Sequence, residues 1–183
     1  NLSKENITSN VYVVGNTIVD TFNNTDPKPG KYTNYLLVTL HRRENRGERM
    51  LKLWKQLNNI SEYNIVYITH PSLPEVHNYL NSNNITLLEP QNYSSMVSLI
   101  MNSSGIVTDS GGLQEEAVCA RKKVLICRDT TERPETVLSK WGLLVNDNIL
   151  DNISFLNDKA GGLDKVYGEN VSKNIISIMY INV

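Results

Sequence analysis

Short apolar runs recur along this chain of 183 residues, and each is followed by a turn and a segment with the composition of a helix. After residue 34 the runs lie at 35–40, 64–68, 85–88, 105–108, 124–127 and 143–145. Short runs that are apolar throughout are typical of strands buried on both faces of a parallel sheet. The alternation therefore predicts an α/β fold, a Rossmann-like parallel sheet with helices on both faces.

The segments between these runs carry the helical patterns. Residues 48–60 place Met50, Trp54 and Leu57 on one face of a predicted amphipathic helix. Further helices are expected at 17–22, 74–80, 94–101, 113–120 and 169–179, and one additional strand at 11–14. Residues 23–34 contain two prolines and a glycine, which indicates a loop.

Composition excludes several function classes. A net charge of −1 with only short basic clusters gives no case for nucleic-acid or membrane-surface binding. Cys119 and Cys127 fall in a predicted helix and a predicted buried strand, so they are interpreted as apolar fillers in a reducing compartment. The chain has no apolar run of membrane-spanning length and no signal peptide at its start, and we expect a cytoplasmic protein.

A Ser-Gly-Gly turn follows the run that ends at residue 108 and opens a predicted helix. Such a turn directs free backbone N–H groups and the positive end of the helix dipole at one point, where a phosphate can bind. Gly111 and Gly112 let an anion approach the backbone, and Ser110 adds a hydroxyl donor or a helix cap. Glu115 or Glu116 can reach a ribose diol beyond the phosphate. The pattern indicates a nucleotide site, although an ordinary turn with two first-turn glutamates would read the same way.

A charged stretch, Arg-Asp-Thr-Thr-Glu-Arg-Pro-Glu, follows the run that ends at residue 127. Charges beyond the carboxyl end of a buried strand lie in the usual ligand crevice of a parallel sheet, but a structural ion-pair cluster is the alternative. Several chemistry-bearing residues follow strands at this same edge, and they predict a single site: His41, His70, Ser110, Arg128 and Arg133.

His41 opens the charged loop His-Arg-Arg-Glu-Asn after the run at 35–40. Neighbouring arginines disfavour the cationic imidazole, so His41 is expected to donate a neutral N–H or to accept a proton near pH 7. A hydrogen-bonded structural histidine at the end of a strand is the alternative interpretation.

These motifs together resemble the non-hydrolysing UDP-N-acetylglucosamine 2-epimerases. The resemblance rests on four segments in the family's order, at residues 14–20, 37–45, 108–117 and 128–135. It implies a GT-B-like architecture of two Rossmann-like domains, of which this chain holds the C-terminal half. Residues 1–22 would then end the first domain and cross into the second, residues 23–34 would form a loop, and residues 35–183 would form the UDP-binding domain.

The resemblance also implies a reaction and a set of roles. The family inverts C2 of UDP-N-acetylglucosamine to give UDP-N-acetylmannosamine, by elimination and re-addition of UDP. By residue matching His41 is the catalytic residue, Arg133 helps to neutralise the pyrophosphate and Glu116 binds the ribose. The phosphate is held by Ser110, Gly111 and Gly112. The resemblance implies no cofactor and no metal, and UDP and UDP-N-acetylglucosamine as ligands.

The family's carboxylates that move the C2 proton belong to the first domain. The chain begins at Asn1 without an initiating Met, so we expect a fragment that needs the missing N-terminal domain and forms a homodimer when full-length. The isolated chain is expected to bind UDP weakly and not to epimerise. Two alternatives remain open: a glycosyltransferase of the same architecture, and a nucleotide-sugar-binding regulatory module without catalysis.

Some positions depart from the family's pattern. Arg42 and His70 match residues that, in some bacterial members, help to bind a second, activating UDP-N-acetylglucosamine. Ser72 stands where the family often has Arg or Asn, which weakens the expectation of such a regulatory site. Met96 replaces a common aromatic and is expected either to line the uracil pocket or to pack in the core.

Overall fold

The computed structural model describes residues 2–159 and 161–181. Within them one sheet of six strands has every neighbouring pair parallel, in the order β3-β2-β1-β4-β5-β6. The strands are β1 (Tyr35–Thr39), β2 (Asn64–Ile68), β3 (Ile85–Leu88), β4 (Gly105–Thr108), β5 (Val124–Ile126) and β6 (Gly142–Leu144). The predicted parallel α/β sheet is confirmed.

Helices connect the strands. The α-helices are α1 (Ile18–Asn23), α2 (Glu48–Asn58), α3 (Val76–Tyr79), α4 (Tyr93–Asn102), α5 (Gly111–Cys119), α6 (Pro134–Leu138) and α7 (Val171–Ile181). Short 3₁₀ helices lie at Leu2–Glu5, Arg43–Asn45 and Leu150–Asn157. None of the helices in the described parts of the chain is both long and apolar enough to cross a membrane.

The two faces of the sheet bury separate apolar clusters. Successive side chains of a strand point to opposite faces, so Leu36 and Val38 of β1 pack into one cluster and Tyr35 and Leu37 into the other. The first cluster is closed by α2, whose Trp54 donates from Nε1 to the hydroxyl of Tyr67 over 3.2 Å. Residues of α4 and α5 close the second. Helices on both faces are therefore confirmed.

Two local predictions differ from the structure, and one helix was not predicted. Residues 11–14 form no strand, and the side chain of Val13 is 99% exposed. The run has β propensity, but no strand pairs with it, and β propensity alone does not form a sheet. The last strand begins one residue earlier than predicted, at Gly142. The helix α6 was not predicted, although Pro134 at its first turn is a common start signal.

The strand order places a ligand crevice between β1 and β4. Connections from β1 run towards β3 on one side, and connections from β4 run towards β6 on the other. In open α/β sheets, ligands bind beyond the carboxyl ends of the strands where the order reverses in this way. The loops after β1 and β4 carry His41 and Ser110, so both lie at this switch point.

Candidate nucleotide-binding site

A cavity of about 380 Å³ opens at the switch point. It is lined by side chains from the loops that follow four neighbouring strands and from the start of α5. Five of the residues predicted from sequence line it together: His41, His70, Ser110, Gly112 and Glu116. Met96 and Gln91 also line this cavity. The volume lies within the range of small-molecule sites.

The N-terminus of α5 forms one wall of this cavity. Ser110 is the N-cap residue in an extended conformation, and its side chain makes no capping hydrogen bond. Its backbone N–H donates to the Thr108 hydroxyl over 3.0 Å. A Cβ added to Gly112 would meet no atom within 4 Å, so this stretch of backbone is open to an approaching group. The uncommitted hydroxyl and the first N–H groups of the helix can bind an anion.

Arg42 reaches the same helix start from the loop after β1. A Cβ on Gly111 would lie 3.7 Å from Arg42 Nη2 and 3.9 Å from Glu132 Oε2. Arg42 Nη1 also lies 3.8 Å from Glu132 Oε1. The cationic side chain is therefore beside the predicted phosphate position.

Glu116 is a half-buried carboxyl on the first turns of α5. Burial, with a further contribution from Glu115, raises the pKa of Glu116 to about 7. A carboxyl with this pKa is partly protonated at neutral pH, and it can accept or donate a hydrogen bond to a ligand hydroxyl.

His41 stacks on His70 on the other side of the cavity. The two ring centroids are 4.8 Å apart and the rings are inclined by 14°. Burial lowers the pKa of His41, Asp109 opposes this effect, and His70 and Arg42 add to it. The direction agrees with the expectation from sequence, but burial is the leading cause rather than the arginines. A neutral imidazole at pH 7 follows.

Asp109 is a functional candidate that the sequence reasoning missed. Its side chain is fully buried, and its carboxylate accepts hydrogen bonds from the backbone N–H groups of His41, at 3.1 and 3.0 Å, and Arg42, at 2.9 Å. Asn45 Nδ2 donates to the same carboxylate over 2.8 Å. One buried carboxylate therefore holds the loop after β1 against the start of α5. The available signal was an Asp directly after a buried strand and directly before Ser110.

Arg128 makes an ion-pair cluster. Its guanidinium, 7% exposed, donates from Nε to Glu44 over 2.8 Å and from Nη1 and Nη2 to the two oxygens of Glu132 over 2.5 and 3.0 Å. The Arg128 hydrogen bond lowers the pKa of Glu132 to about 2. The contact between Arg128 and Glu44 joins the loop after β1 to the loop after β5. Arg128 therefore takes part in a structural ion-pair cluster, the alternative interpretation of this charged stretch.

Arg133 lies apart from the cavity that holds His41. It forms an ion pair with Glu115, which also accepts a hydrogen bond from Asn16 Nδ2 over 2.9 Å. These three residues line a neighbouring cavity of about 620 Å³, bordered by the segment around Val13. The structure thus separates Arg133 from Ser110 and Gly112, and its predicted phosphate contact stays a prediction.

Comparison with known proteins identifies the family. The family model described as UDP-N-acetylglucosamine 2-epimerase matches residues 1–180. The chain belongs to the UDP-N-acetylglucosamine 2-epimerase family. It is 37% identical over 175 residues to the UDP-N-acetylglucosamine 2-epimerase of Yersinia pestis, covering 81% of this chain and 46% of that protein. The UDP-N-acetylglucosamine 2-epimerase of Neisseria meningitidis serogroup A is 32% identical over 217 residues, covering 100% of this chain and 58% of that protein.

Solved structures of epimerases show the same fold. The S. aureus MnaA–UDP co-structure superposes with a TM-score of 0.85 at 28% identity, covering 99% of this chain and 57% of that one. The N. meningitidis UDP-GlcNAc 2-epimerase bound to UDP-GlcNAc superposes with a TM-score of 0.82 at 29% identity, covering 99% of this chain and 58% of that one. The chain spans about half the length of the relatives it matches.

Proposed function

We propose that this chain is the UDP-binding half of a UDP-N-acetylglucosamine 2-epimerase, which interconverts UDP-N-acetylglucosamine and UDP-N-acetylmannosamine by elimination and re-addition of UDP. One observation carries the proposal: a single cavity at the switch point joins the open N-terminus of α5, the half-buried carboxyl of Glu116 and the neutral imidazole of His41. Relatives solved with UDP and with UDP-GlcNAc support the choice of ligand.

The arrangement suits the departure of a nucleoside diphosphate. Negative charge develops on the pyrophosphate as its bond to C1 of the sugar breaks, and a helix N-terminus stabilises such charge. Ser110 and the backbone at Gly111 and Gly112 would bind the phosphates, and Glu116 would accept from the ribose diol. His41, neutral at pH 7, would accept a proton, or donate a hydrogen bond from its N–H, beside the sugar.

Removal and return of the C2 proton require further groups. We propose that they come from an N-terminal domain that forms the other wall of the cleft, and that the complete protein is a homodimer. The 183-residue chain alone is then expected to bind UDP weakly and to leave UDP-N-acetylglucosamine unchanged. Arg42 and His70 would contribute to a second, activating UDP-N-acetylglucosamine site only in that complete protein.

Calorimetric titration with UDP and with inorganic pyrophosphate tests the site. Ser110→Ala removes one donor and should weaken both ligands by about 1 kcal/mol. Glu116→Gln should weaken UDP and leave pyrophosphate unchanged, because pyrophosphate has no ribose. Ser61→Ala, at an exposed serine outside the cavity, is the matched control. Equal weakening of both ligands by Glu116→Gln would refute its ribose role.

Arg133→Ala provides a separate test in the same titration. A charge-assisted contact to the phosphate is worth roughly 1.5–3 kcal/mol, and it requires Arg133 to leave Glu115. Unchanged UDP affinity in this variant would remove Arg133 from the site and leave the roles of the cavity residues intact.

A further inference from the structure

The two stacked histidines have different partners at the same ring nitrogen. Nδ1 of His70 faces Ser72, whereas Nδ1 of His41 faces Asp109. A neutral imidazole carries one proton, and the partner of each nitrogen decides where it resides. The two contacts therefore determine what each ring presents to the cavity.

The contact at His70 fixes its proton on Nε2. The backbone N–H of Ser72 donates to His70 Nδ1 over 3.1 Å, and the Ser72 hydroxyl lies 2.8 Å from the same atom. A backbone N–H can only donate, so Nδ1 must offer its lone pair. The neutral ring then carries its hydrogen on Nε2 and acts there as a donor.

The contact at His41 instead favours a proton on Nδ1. Nδ1 of His41 lies 3.6 Å from Asp109 Oδ1. Asp109 already accepts from three N–H groups, those of the His41 and Arg42 backbones and of Asn45 Nδ2, an arrangement that suits a carboxylate with acceptors only. A lone pair on Nδ1 would face this negative charge unfavourably, whereas an N–H there is attracted to it.

We propose that Asp109 is the positioning residue of His41, and that the stacked rings carry their protons on opposite nitrogens, His41 on Nδ1 and His70 on Nε2. The pair then offers one acceptor, His41 Nε2, which can take up a proton, and one hydrogen-bond donor, His70 Nε2–H. The titratable and charged groups around His41 are Asp109, Arg42 and His70. Glu132 lies 3.8 Å from Arg42 and is otherwise paired with Arg128. Use of this pair in catalysis rests on the proposed function, but the proton positions do not.

Nitrogen-15 NMR of the histidine-labelled chain without nucleotide tests the proton positions directly. Spectra are recorded at a pH where the rings are neutral, and signals are assigned with His41→Gln, His70→Gln and His77→Gln. We expect the protonated-nitrogen signal at Nδ1 for His41 and at Nε2 for His70. A proton on Nε2 of His41, or on the same nitrogen in both rings, would overturn the proposal.

Asp109→Asn tests the cause. The amide of Asn at this position can donate to His41 Nδ1, so the His41 signals should move towards the Nε2–H form. The pKa of His41 should fall, because Asp109 no longer raises it. The nitrogen signals of His70 should not change. Ser72→Ala is the control, since the backbone donor to His70 remains. Unchanged His41 signals in the folded Asp109→Asn variant would show that Asp109 only holds the loop and does not position the His41 proton. If that variant does not fold, the proton positions in the wild-type spectrum decide between the two outcomes. Opposite tautomers in a chain that binds no UDP would refute the proposed function alone.

Discussion

Replacing Glu116 by Gln should stabilise the chain at alkaline pH and not at acid pH. Burial raises the pKa of Glu116 from 4.5 to about 7, with Glu115 adding to the effect. The folded state therefore holds a proton that the unfolded state releases above pH 4.5. The stability from this proton is complete below about pH 4.5 and is lost as pH rises through about 7. Gln keeps the shape of the side chain and never ionises.

The magnitude follows from the same shift. At about 1.4 kcal/mol per pKa unit, the rise corresponds to roughly 3 kcal/mol. Glu116 keeps part of its surface in water, which screens the charge, so we expect a gain of about 1–2 kcal/mol for Glu116→Gln at pH 8. Helix propensity contributes little, because Glu and Gln are similar in this respect.

Urea denaturation at pH 4.5 and pH 8 measures the free energy of unfolding of the wild type and the variant. Glu62→Gln, which removes the same charge from an exposed position, corrects for the change in net charge. The wild-type and Glu116→Gln values should agree at pH 4.5 and separate at pH 8. A difference that is equal at both pH values, or a variant less stable at pH 8, would refute the reasoning.

Three further outcomes follow from the structure. Gly142→Ala should lower the free energy of unfolding by about 1–3 kcal/mol, because the added Cβ would lie 2.6 Å from Thr136 Cγ2. Gly161→Ala is the control in the same urea titration, and it should show no steric loss because its Cβ would meet no atom within 4 Å. Arg128→Met should cost about 1–2 kcal/mol by denaturation, less than a fully buried ion pair, because its glutamate partners are 44% and 55% exposed; an unchanged midpoint would contradict this. His41→Asn in the complete enzyme should lower turnover on the order of 10²- to 10⁴-fold with a smaller effect on substrate binding, and near-normal turnover would make His41 structural.

The sheet could be predicted because the sequence of each strand is by itself typical of a buried strand. Every residue of β1 is buried, and all but its last residue, Thr39, are apolar or aromatic, which distinguishes the run from an amphipathic helix. Residues 11–14 have the same local character, but whether a run becomes a strand depends on a partner elsewhere in the chain. Helix α6 has only five residues after a charged stretch, too short for its periodicity to be detected.

Part of the site could also be predicted, because strand ends meet at one edge of a parallel sheet. This rule brings His41, His70 and Ser110 to one cavity. It does not say which way a side chain points from that edge. Asp109 turns inward to the backbone of the loop after β1, and Arg133 pairs with Glu115 instead of facing the cavity. Both outcomes depend on tertiary partners that sequence spacing does not specify.

The two adjacent glutamates of α5 illustrate how the fold divides such roles. Neighbouring residues on a helix point in directions about 100° apart, so Glu115 faces Arg133 and Asn16 while Glu116 faces the cavity at the switch point. Glu115 has a cationic partner, but no ion pair reaches Glu116 within residues 2–159 and 161–181. Burial of the Glu116 carboxyl, with the neighbouring charge of Glu115, therefore raises its pKa without a cation to oppose the rise. Because Arg133 is held by Glu115, a phosphate entering the cavity would first be met by Ser110, the dipole of α5 and Arg42, and by Arg133 only after its release from Glu115.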